Sequence, residues 1–419
     1  MVVAIFRQIY IFKSKYLIFL PAANRLVSFI KEFVSLVTFH HSLFIIHLFF
    51  VSLPSETIFV LKTMKKSIMI LLALLALHAG AKDRIPKDKS MKGYVMVYHK
   101  DADHGLHMAY SWDGYVWTAL NDDKPIIGGD TIAEQHGIRD PHIFRSPDGG
   151  FCMAMTDLHV FGKRDGWRTT EWERPKEYGW GNNRGLVLMK SMDLIHWHRT
   201  NLDFTRLTAS DPLMPSWKEV GCVWAPEMVW DEEAGRILMH FTTRSHGGPN
   251  MIYYAYVNDD FTALTSDPKP LLTAPLKENG EPRYNIIDSD IVKVGDTYHL
   301  FYVSHERTAT VKHATSKSVT GPYVMDDLYD DGERQGHEAP NCWKRLHEDS
   351  WTLMFDNYSR RPHNFGFVTT RDFHHFQMIG YFDDPSSPMK RTNFSEQKHG
   401  AVIPVTKKEL KRLIKAWGK

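Results

Sequence analysis

Six residues of this chain could do acid–base chemistry together: Asp140, Glu227, Asp288, Asp290, Glu338 and His399. Each stands at or near the start of a short apolar run. The runs are Arg139-Asp140-Pro141-His142-Ile143-Phe144, Trp224-Ala225-Pro226-Glu227-Met228-Val229, Ile287-Asp288-Ser289-Asp290-Ile291-Val292, His337-Glu338-Ala339-Pro340-Asn341-Cys342-Trp343 and Lys398-His399-Gly400-Ala401-Val402-Ile403-Pro404. Were these five runs neighbouring strands around one axis, their leading residues would converge at one mouth of a channel. Clustered carboxylates are expensive for stability, because like charges raise each other's pKa. They are also how a protein pushes two pKa values apart to make an acid and a base. Two such carboxyls can divide the work of breaking a glycosidic bond: one protonates the leaving oxygen, the other activates water or attacks the anomeric carbon. A third can keep the first protonated and oriented. For any one of these residues the competing reading is a blade-capping group that bonds to backbone.

The elements that would position them repeat along the chain. A short strand ending in a small residue, a turn with Asp or a neighbouring polar residue, and then a large side chain recur five times. The copies are HMAYSWDGYVW, LVLMKSMDLIHW, YYAYVNDDFTAL, VKHATSKSVTGPY and FGFVTTRDFHHF. Ahead of each lies an alternating strand: YVMVYHK, FCMAMTD, ILMHFTT, YHLFYVS and WTLMFDN. Period-2 alternation rich in aromatic and β-branched residues marks strands in stacked sheets. Helical periodicity is nearly absent until the end of the chain. Small repeated sheets without helices predict an all-β, five-bladed β-propeller over residues 92–419. The first copy, near Gly93, has no leading run of its own, and Lys398–Pro404 supplies it from the far end. A C-terminal strand thus closes the first blade and protects the sheet edges. Thr406-Lys407-Lys408-Glu409 reads as a capping box, followed by a short C-terminal helix with Leu410, Leu413, Ile414 and Trp417 on one face.

Composition narrows the function. The 419 residues carry a formal charge of only +2, which argues against a nucleic-acid or membrane-surface partner. Aromatic residues make up 13%, suiting either an all-β core or a sugar-stacking surface. Cys152, Cys222 and Cys342 sit inside or beside apolar runs and read as buried free thiols, not a disulfide framework. From Met64 the chain has two lysines, an apolar run from Ile68 to Leu77 and Ala79-Gly80-Ala81, the pattern of a secretory signal peptide over 64–81. Export to the periplasm or the extracellular space is expected. Residues 1–63 then read as an over-extended gene model or an unstructured stretch, with translation starting at Met64. A membrane anchor around Leu43–Leu53 is too short and lacks clean flanks.

The ordered set IRDPHIF, VWAPEMVWD, IDSDIVK, EAP and KHGAVIPVT, with the blade repeats, resembles glycoside hydrolase family 43, in particular its Bacteroides-type arabinofuranosidase-like branch. The likeness runs from Gly93 to Trp417. It implies that Asp140 is the general base, Glu338 the general acid and Asp288 the residue tuning and orienting that acid, with Asp290 the alternative. It also implies inversion, with base and acid carboxyls about 6.5–9.5 Å apart. No cofactor is expected to be required. His399 is similar to the family's central histidine and would be the residue helping to hold a structural calcium or sodium ion in the channel, with waters and carbonyls supplying most ligands. Two departures stand: Glu338 is followed by Ala339 where the family has glycine, and Asp140 falls on the second blade.

Trp224, Glu227, Asp290 and Arg360 are the expected substrate-binding residues. An insertion from Leu158 to Arg184, with Trp167, Trp172 and Trp180, would wall the substrate. An oligo- or polysaccharide of plant type is the expected partner, most simply an α-L-arabinofuranoside. β-Xylosides, β-galactosides and a carbohydrate-binding propeller without turnover are the alternatives. Family 32 fructan hydrolases share Arg-Asp-Pro, but the chain has no Trp-x-Asn-Asp-Pro-Asn segment.

Overall fold

The recurring Asp turn is built the same way in three repeats. Ser111 Oγ accepts the Gly114 N–H at 2.8 Å, while Asp113 Oδ1 accepts those of Tyr115 and Val116 at 2.7 and 2.9 Å. Ser191 and Asp193 do the same for Leu194, Ile195 and His196, and Thr370 and Asp372 for Phe373, His374 and His375. These bonds hold Gly114, Leu194 and Phe373 at positive φ. For Leu194 and Phe373 that strain is offset because the side chains are driven into the core, where they are fully buried.

The computed structural model describes residues 86–166, 172–332 and 336–418. The expected leader at 64–81, the stretch 1–63 and Trp167 lie outside them. Blade one begins with β1 (Met91–His99), β2 (His107–Ser111) and β3 (Val116–Ala119). Blade two is β4 (Ile138–Arg145), β5 (Phe151–Asp157), β6 (Gly185–Ser191) and β7 (His198–Asp203). Blade three is β8 (Val220–Asp231), β9 (Arg236–Ser245), β10 (Met251–Tyr256) and β11 (Lys269–Leu272). Blade four is β12 (Ile286–Val294), β13 (Thr297–Ser304), β14 (Thr310–Ser316) and β15 (Val324–Asp330). Blade five is β16 (His337–Lys344), β17 (Trp351–Asn357), β18 (Asn364–Thr370) and β19 (Phe376–Tyr381). Two further strands, β20 (Lys390–Arg391) and β21 (Lys398–Thr406), return to blade one, whose order is β20-β3-β2-β1-β21. The protein is a five-bladed β-propeller, and β21 closes the ring antiparallel to β1, with Val97 opposite Ala401 and Tyr94 opposite Pro404. The short parallel strand β20, which covers the outer edge of β3, carries no alternation long enough to be read in advance.

The core is a set of wedges between neighbouring blades. Val97 and Met108 of blade one meet Ile143 and Met153 of blade two. Leu186 and Phe204 meet Val223 and Phe241, Leu238 and Ile252 meet Leu300 and Tyr302, and Phe301 and Val311 meet Leu353 and Phe355. Met354 and Phe367 meet Tyr94 and Met96, which completes the circle. The second and third strands of each blade are therefore largely buried on both faces, whereas the outer strands β7, β15 and β19 remain mostly half-buried or exposed. The terminal helix (Lys407–Trp417) starts at the expected capping box, Thr406 with Glu409. It plugs Leu410 and Leu413 into the first wedge, and Glu409 forms a bidentate pair with Arg145 of β4 at 2.9 Å. The three cysteines are buried and free.

Candidate active site

The site is laid out by a backbone defect repeated five times. Each innermost strand carries a β-bulge in its pairing with the second strand, and one residue of each bulge has positive φ. These are Asp140 (50°), Ala225 (44°), Asp288 (44°), Ala339 (55°) and His399 (39°). None is glycine, and left-handed backbone costs an L-residue about 1–2 kcal/mol. The strain is held because each freed N–H is captured. Asp140 N–H donates to His99 Nδ1 (3.1 Å), Ala225 to Thr156 Oγ1 (2.9 Å), Asp288 to Thr242 Oγ1 (2.9 Å) and His399 to Asp356 Oδ2 (3.3 Å). In each case the acceptor sits on the second strand of the preceding blade. Blade four has Val303 there, opposite Ile287, and valine offers no acceptor. The Ala339 N–H turns instead to Asp288 Oδ2 at 3.3 Å. Asp288 is thereby tied to the peptide that follows Glu338, which orients the acid-bearing bulge.

Three of the bulge residues, Asp140, Asp288 and His399, and the residue just before each of the five bulges line an open cleft of about 740 Å³. Asp140, Asp288, Glu338, His399 and Trp224 all line it. Burial alone would raise the pKa of Asp140, but the His399 ring at 3.2 Å and the Arg139 guanidinium outweigh it and hold the carboxyl well below its usual range. Thr156 Oγ donates to the same carboxylate at 2.7 Å. His399 shows the reciprocal effect: burial works against its charge, yet Asp140 and then Asp288 raise it to about 9. Asp288 is pushed up to about 7, chiefly by burial, with His399 opposing and Glu338 and Asp140 adding to the rise. The floor therefore holds one ionised carboxylate and one carboxyl that keeps its proton to neutral pH.

Glu338 stands at the cleft edge, 3.6 Å from Lys398 Nζ, and Lys398 reaches Asp101 at 3.7 Å. Asp101 also pairs with Arg139, so these four groups form one chain along the rim. Opposite Glu338 on β17 lies Asp356, fully buried and raised to about 7 by burial, with Lys398 opposing and Glu338 adding. Its Oδ1 has no hydrogen-bond partner among the described residues. Sequence reasoning missed Asp356, His99, Thr156 and Thr242 as members of the site. Each is the sixth residue of its seven-residue strand copy, which was the available signal.

Two residues further along each innermost strand lies a second layer, beneath the cleft: His142, Glu227, Asp290, Asn341 and Ala401. Glu227 and Asp290 were expected to bind substrate, but they are buried to 3% and 5% exposure and line no part of the cleft. They are staples between blades. His142 Nδ1 accepts the Met228 N–H, Asp290 that of Cys342 and Asn341 that of Val402. Glu227 and Asp290 lie against each other, and burial followed by their mutual repulsion raises Glu227 well above the carboxylate range. Asp290 rises to about 6, through burial partly offset by its bonds to Glu227 and the Cys342 N–H. Asp288 reaches the cleft and Asp290 does not.

His399, the expected metal residue, has its Nδ1 3.2 Å from Asp140 and 3.9 Å from Asp288. A second set of donors that could hold a cation is in the layer below, where atoms of His142, Glu227 and Asp290 come within 4.8 Å of one another. Glu227 Oε2 there has no hydrogen-bond partner among the described residues. Two carboxylates and one imidazole fit a divalent ion, and a proton shared by the two carboxyls satisfies the pair as well.

Arg360, expected at the substrate, instead stacks on Tyr381 at 3.9 Å and pairs with Asp384 at 3.4 Å; its neighbour Arg361 lines the cleft. Trp172 lies under the Arg184 guanidinium, which sits 5.4 Å from the indole centre, and takes no part in the cleft lining. Trp180 reaches the cleft.

Residues 89–411 match the family model for a probable glycosyl hydrolase domain of the family 43-related type. An α-L-arabinofuranosidase of Bifidobacterium longum subsp. longum is 24% identical over 255 residues, 56% of this chain but 21% of that protein. The chain thus spans about a fifth of the length of this curated relative. Among solved structures, an endo-1,4-β-xylanase of Bacteroides thetaiotaomicron aligns at 14% identity and a TM-score of 0.46, over 69% of this chain and 91% of that one. A family 43 protein of Bacillus licheniformis aligns at 13% identity and a TM-score of 0.46, over 75% of this chain and 56% of that one.

Proposed function

Because the chain belongs to the family 43-related glycosyl hydrolases, we propose that it hydrolyses glycosidic bonds of plant-type polysaccharides with inversion, acting on α-L-arabinofuranosides. In this reading a water over the hub loses its proton to Asp140 as its oxygen bonds to the anomeric carbon. The bond from that carbon to the leaving oxygen breaks, and Glu338 delivers a proton to the oxygen. Asp288 is a positioning residue, acting on Glu338 through the Ala339 N–H. The reaction needs water and these carboxyls and no cofactor. A channel ion, in this reading, belongs to the His142–Glu227–Asp290 layer. The leader-like segment at 64–81 supports export of the enzyme.

The observation that carries the reading is the divided ionisation of the floor: Asp140 held as a carboxylate by His399 and Arg139, with Asp288 held up near 7 beside it. A base must be ionised before it can take a proton, and a neutral neighbour spares the site a second repelling charge. The sugar is supported by the arabinofuranosidase relative, whose match covers a fifth of that protein. β-Xylosides and β-galactosides are the other substrates this cleft could serve.

A specific contact favours a second reading, a carbohydrate-binding propeller without turnover. Lys398 Nζ lies 3.6 Å from the group that has to deliver a proton, and Ala339 adds a methyl beside it. Assays on aryl α-L-arabinofuranoside, β-xyloside and β-galactoside, with Asp140→Asn and Glu338→Ala alongside, separate the two. Turnover of one glycoside, abolished in Asp140→Asn, supports hydrolysis and identifies the sugar. Recovery of Glu338→Ala on a dinitrophenyl glycoside, whose leaving group needs no proton, supports Glu338 as the acid. Binding without turnover on the whole panel supports the second reading.

A further inference from the structure

Trp180 is 70% exposed, more than any other large hydrophobic side chain among the described residues. It sits on the blade-two insertion at the wall of the cleft and meets Trp224 edge-on, with ring centres 5.9 Å apart at 71°. A tryptophan left in water on a mobile loop would need no account. This one is held still. Arg244 Nη2 donates to the carbonyls of Tyr178 (3.1 Å) and Trp180 (3.0 Å), while its guanidinium lies 4.9 Å from the Trp224 ring centre. Trp224 Nε1 donates to the Gly181 carbonyl at 2.8 Å. Gly181 has φ +64°, and a Cβ there would come within 2.9 Å of the Trp224 ring, so the loop can lie on Trp224 only with glycine at this position. One residue before Trp180, Asn182 Nδ2 fixes the Gly179 carbonyl at 2.8 Å, and Tyr178 stacks on His246 at 4.0 Å.

Resting on the glycosidase reading, we propose that Trp180 forms a second sugar position. It would hold, by stacking, the saccharide unit next to the one over the hub. The axial C–H face of a sugar is apolar enough to lie on an indole, and the ring hydroxyls remain free for water and the polar rim. An aromatic platform fixed beforehand loses little entropy on binding, so contact area converts to affinity. The bonds to the backbone on both sides of Trp180 supply that fixation. Trp224, 9% exposed and closer to the hub, forms the step between the two positions.

The test uses full-length protein carrying Asp140→Asn, so that ligands persist, with and without Trp180→Ala. Calorimetry would compare methyl α-L-arabinofuranoside with α-1,5-arabinotriose, and the corresponding xylose and galactose pairs. The trisaccharide should bind Trp180-containing protein more tightly than the methyl glycoside. Trp180→Ala should weaken the trisaccharide about tenfold and the methyl glycoside less than twofold, and Trp180→Tyr should recover part of the loss. Equal affinities of the two Trp180 forms for the trisaccharide would overturn the proposal while leaving the glycosidase reading intact, as would equal losses for both ligands. Binding of none of the sugars to Trp180-containing protein would overturn the substrate reading and the second position together. The side chain is exposed, so unchanged thermal midpoints should accompany all three forms.

Discussion

The two layers of the hub use one backbone device for opposite ends. In the upper layer Asp140, Asp288 and His399 occupy the bulges and Glu338 precedes one, and all four open on the cleft. Two residues further on, His142, Glu227, Asp290 and Asn341 point into closed space, and all but Glu227 spend an acceptor on the next blade's backbone. Chemically the layers look alike, since each holds carboxyls and a histidine. They differ in what satisfies them. A salt bridge to His399 and Arg139 fixes the upper Asp140 as an anion. Below, two carboxyls face each other beside His142, whose pKa burial lowers to about 3, and both are pushed up. A carboxylate poised for work thus needs a counter-ion and access to water, and proximity to the propeller axis supplies neither.

The largest expected effect breaks the comparison at its centre. Asp140→Asn should lower kcat by about 10³-fold, in the range of a lost general base, with a lowered thermal midpoint, because the amide leaves the buried His399 and Arg139 charges without their counter-ion. Glu227→Gln makes the same carboxyl-to-amide change in the layer below and mimics the protonated form that burial already favours. It should leave kcat within about threefold, because nothing in that layer reaches substrate. Steady-state kinetics on the active glycoside checks both. A loss in Glu227→Gln comparable to that in Asp140→Asn would mean that the lower layer takes part in the chemistry.

In the lower layer stability should respond where activity does not. Asn341 accepts the Val402 N–H at 2.9 Å and so ties blade five to the closing strand. Asn341→Ala leaves that buried N–H unpaired, at a cost of about 1–3 kcal/mol. Denaturant or thermal unfolding should show the loss, while kcat at temperatures well below the midpoint stays near wild type.

Much of this was legible in the sequence. The five strand copies, the closing strand and the capping box follow from alternation and turn chemistry, and the structure has all of them. The convergence of Asp140, Asp288, Glu338 and His399 follows from their place at the head of the innermost strands. Which acids face water does not follow, because a bulge rotates the chain between Asp288 and Asp290 and a sequence carries no sign of which residue takes positive φ. Asp290 and Glu227 were therefore grouped with the site, when depth along the channel separates them from it. Arg360 and Arg361 are adjacent, so only the loop's conformation decides which enters the cleft. The second-strand partners were readable in principle: His99, Thr156, Thr242, Val303 and Asp356 share one position in the repeat. Their role appears only when that position is set beside the bulge of the next blade.

The pH dependence of stability sharpens the contrast next. Asp288 keeps its proton to about 7 in the folded protein, against 3.8 for an ordinary Asp. Between those values the folded state binds more protons than the unfolded chain, so stability falls as pH rises through this window. His399, raised from 6.5 to about 9, has the same sign: its contribution is complete below 6.5 and is lost as pH climbs through 9. Asp140, held low, has the opposite sign and loses its contribution only in acid. Buried His104, His142 and His240, held near 3 by burial, act with the opposite sign below 6.5, so thermal midpoints should decline from about pH 6.5 to pH 9. Asp288→Asn keeps an acceptor for the Ala339 N–H and should remove the falling contribution below pH 7 while leaving the decline above it. A parallel curve in Asp288→Asn would show that Asp288 is ionised in the folded protein at pH 5.

The smallest effect tests the ring of caps itself. Thr242→Val gives blade three the residue that blade four already has at Val303. The hydroxyl that accepts the Asp288 N–H at 2.9 Å is lost, and the methyl that replaces it is of similar size. Blade four survives this arrangement because a carboxylate one blade away, Asp288 Oδ2, reaches the orphaned Ala339 N–H. For blade three the bulge residue is Ala225, which has no side chain to reach across, so the Asp288 N–H would stay unpaired. The expected loss is about 1 kcal/mol of stability, measured by denaturant unfolding, with a small rise in KM as the Asp288 bulge loosens. A fully neutral Thr242→Val would mean that the positive φ at Asp288 is held by the bulge pairing alone, and the five acceptors would then be a consequence of the propeller's geometry and not a cause of the site's.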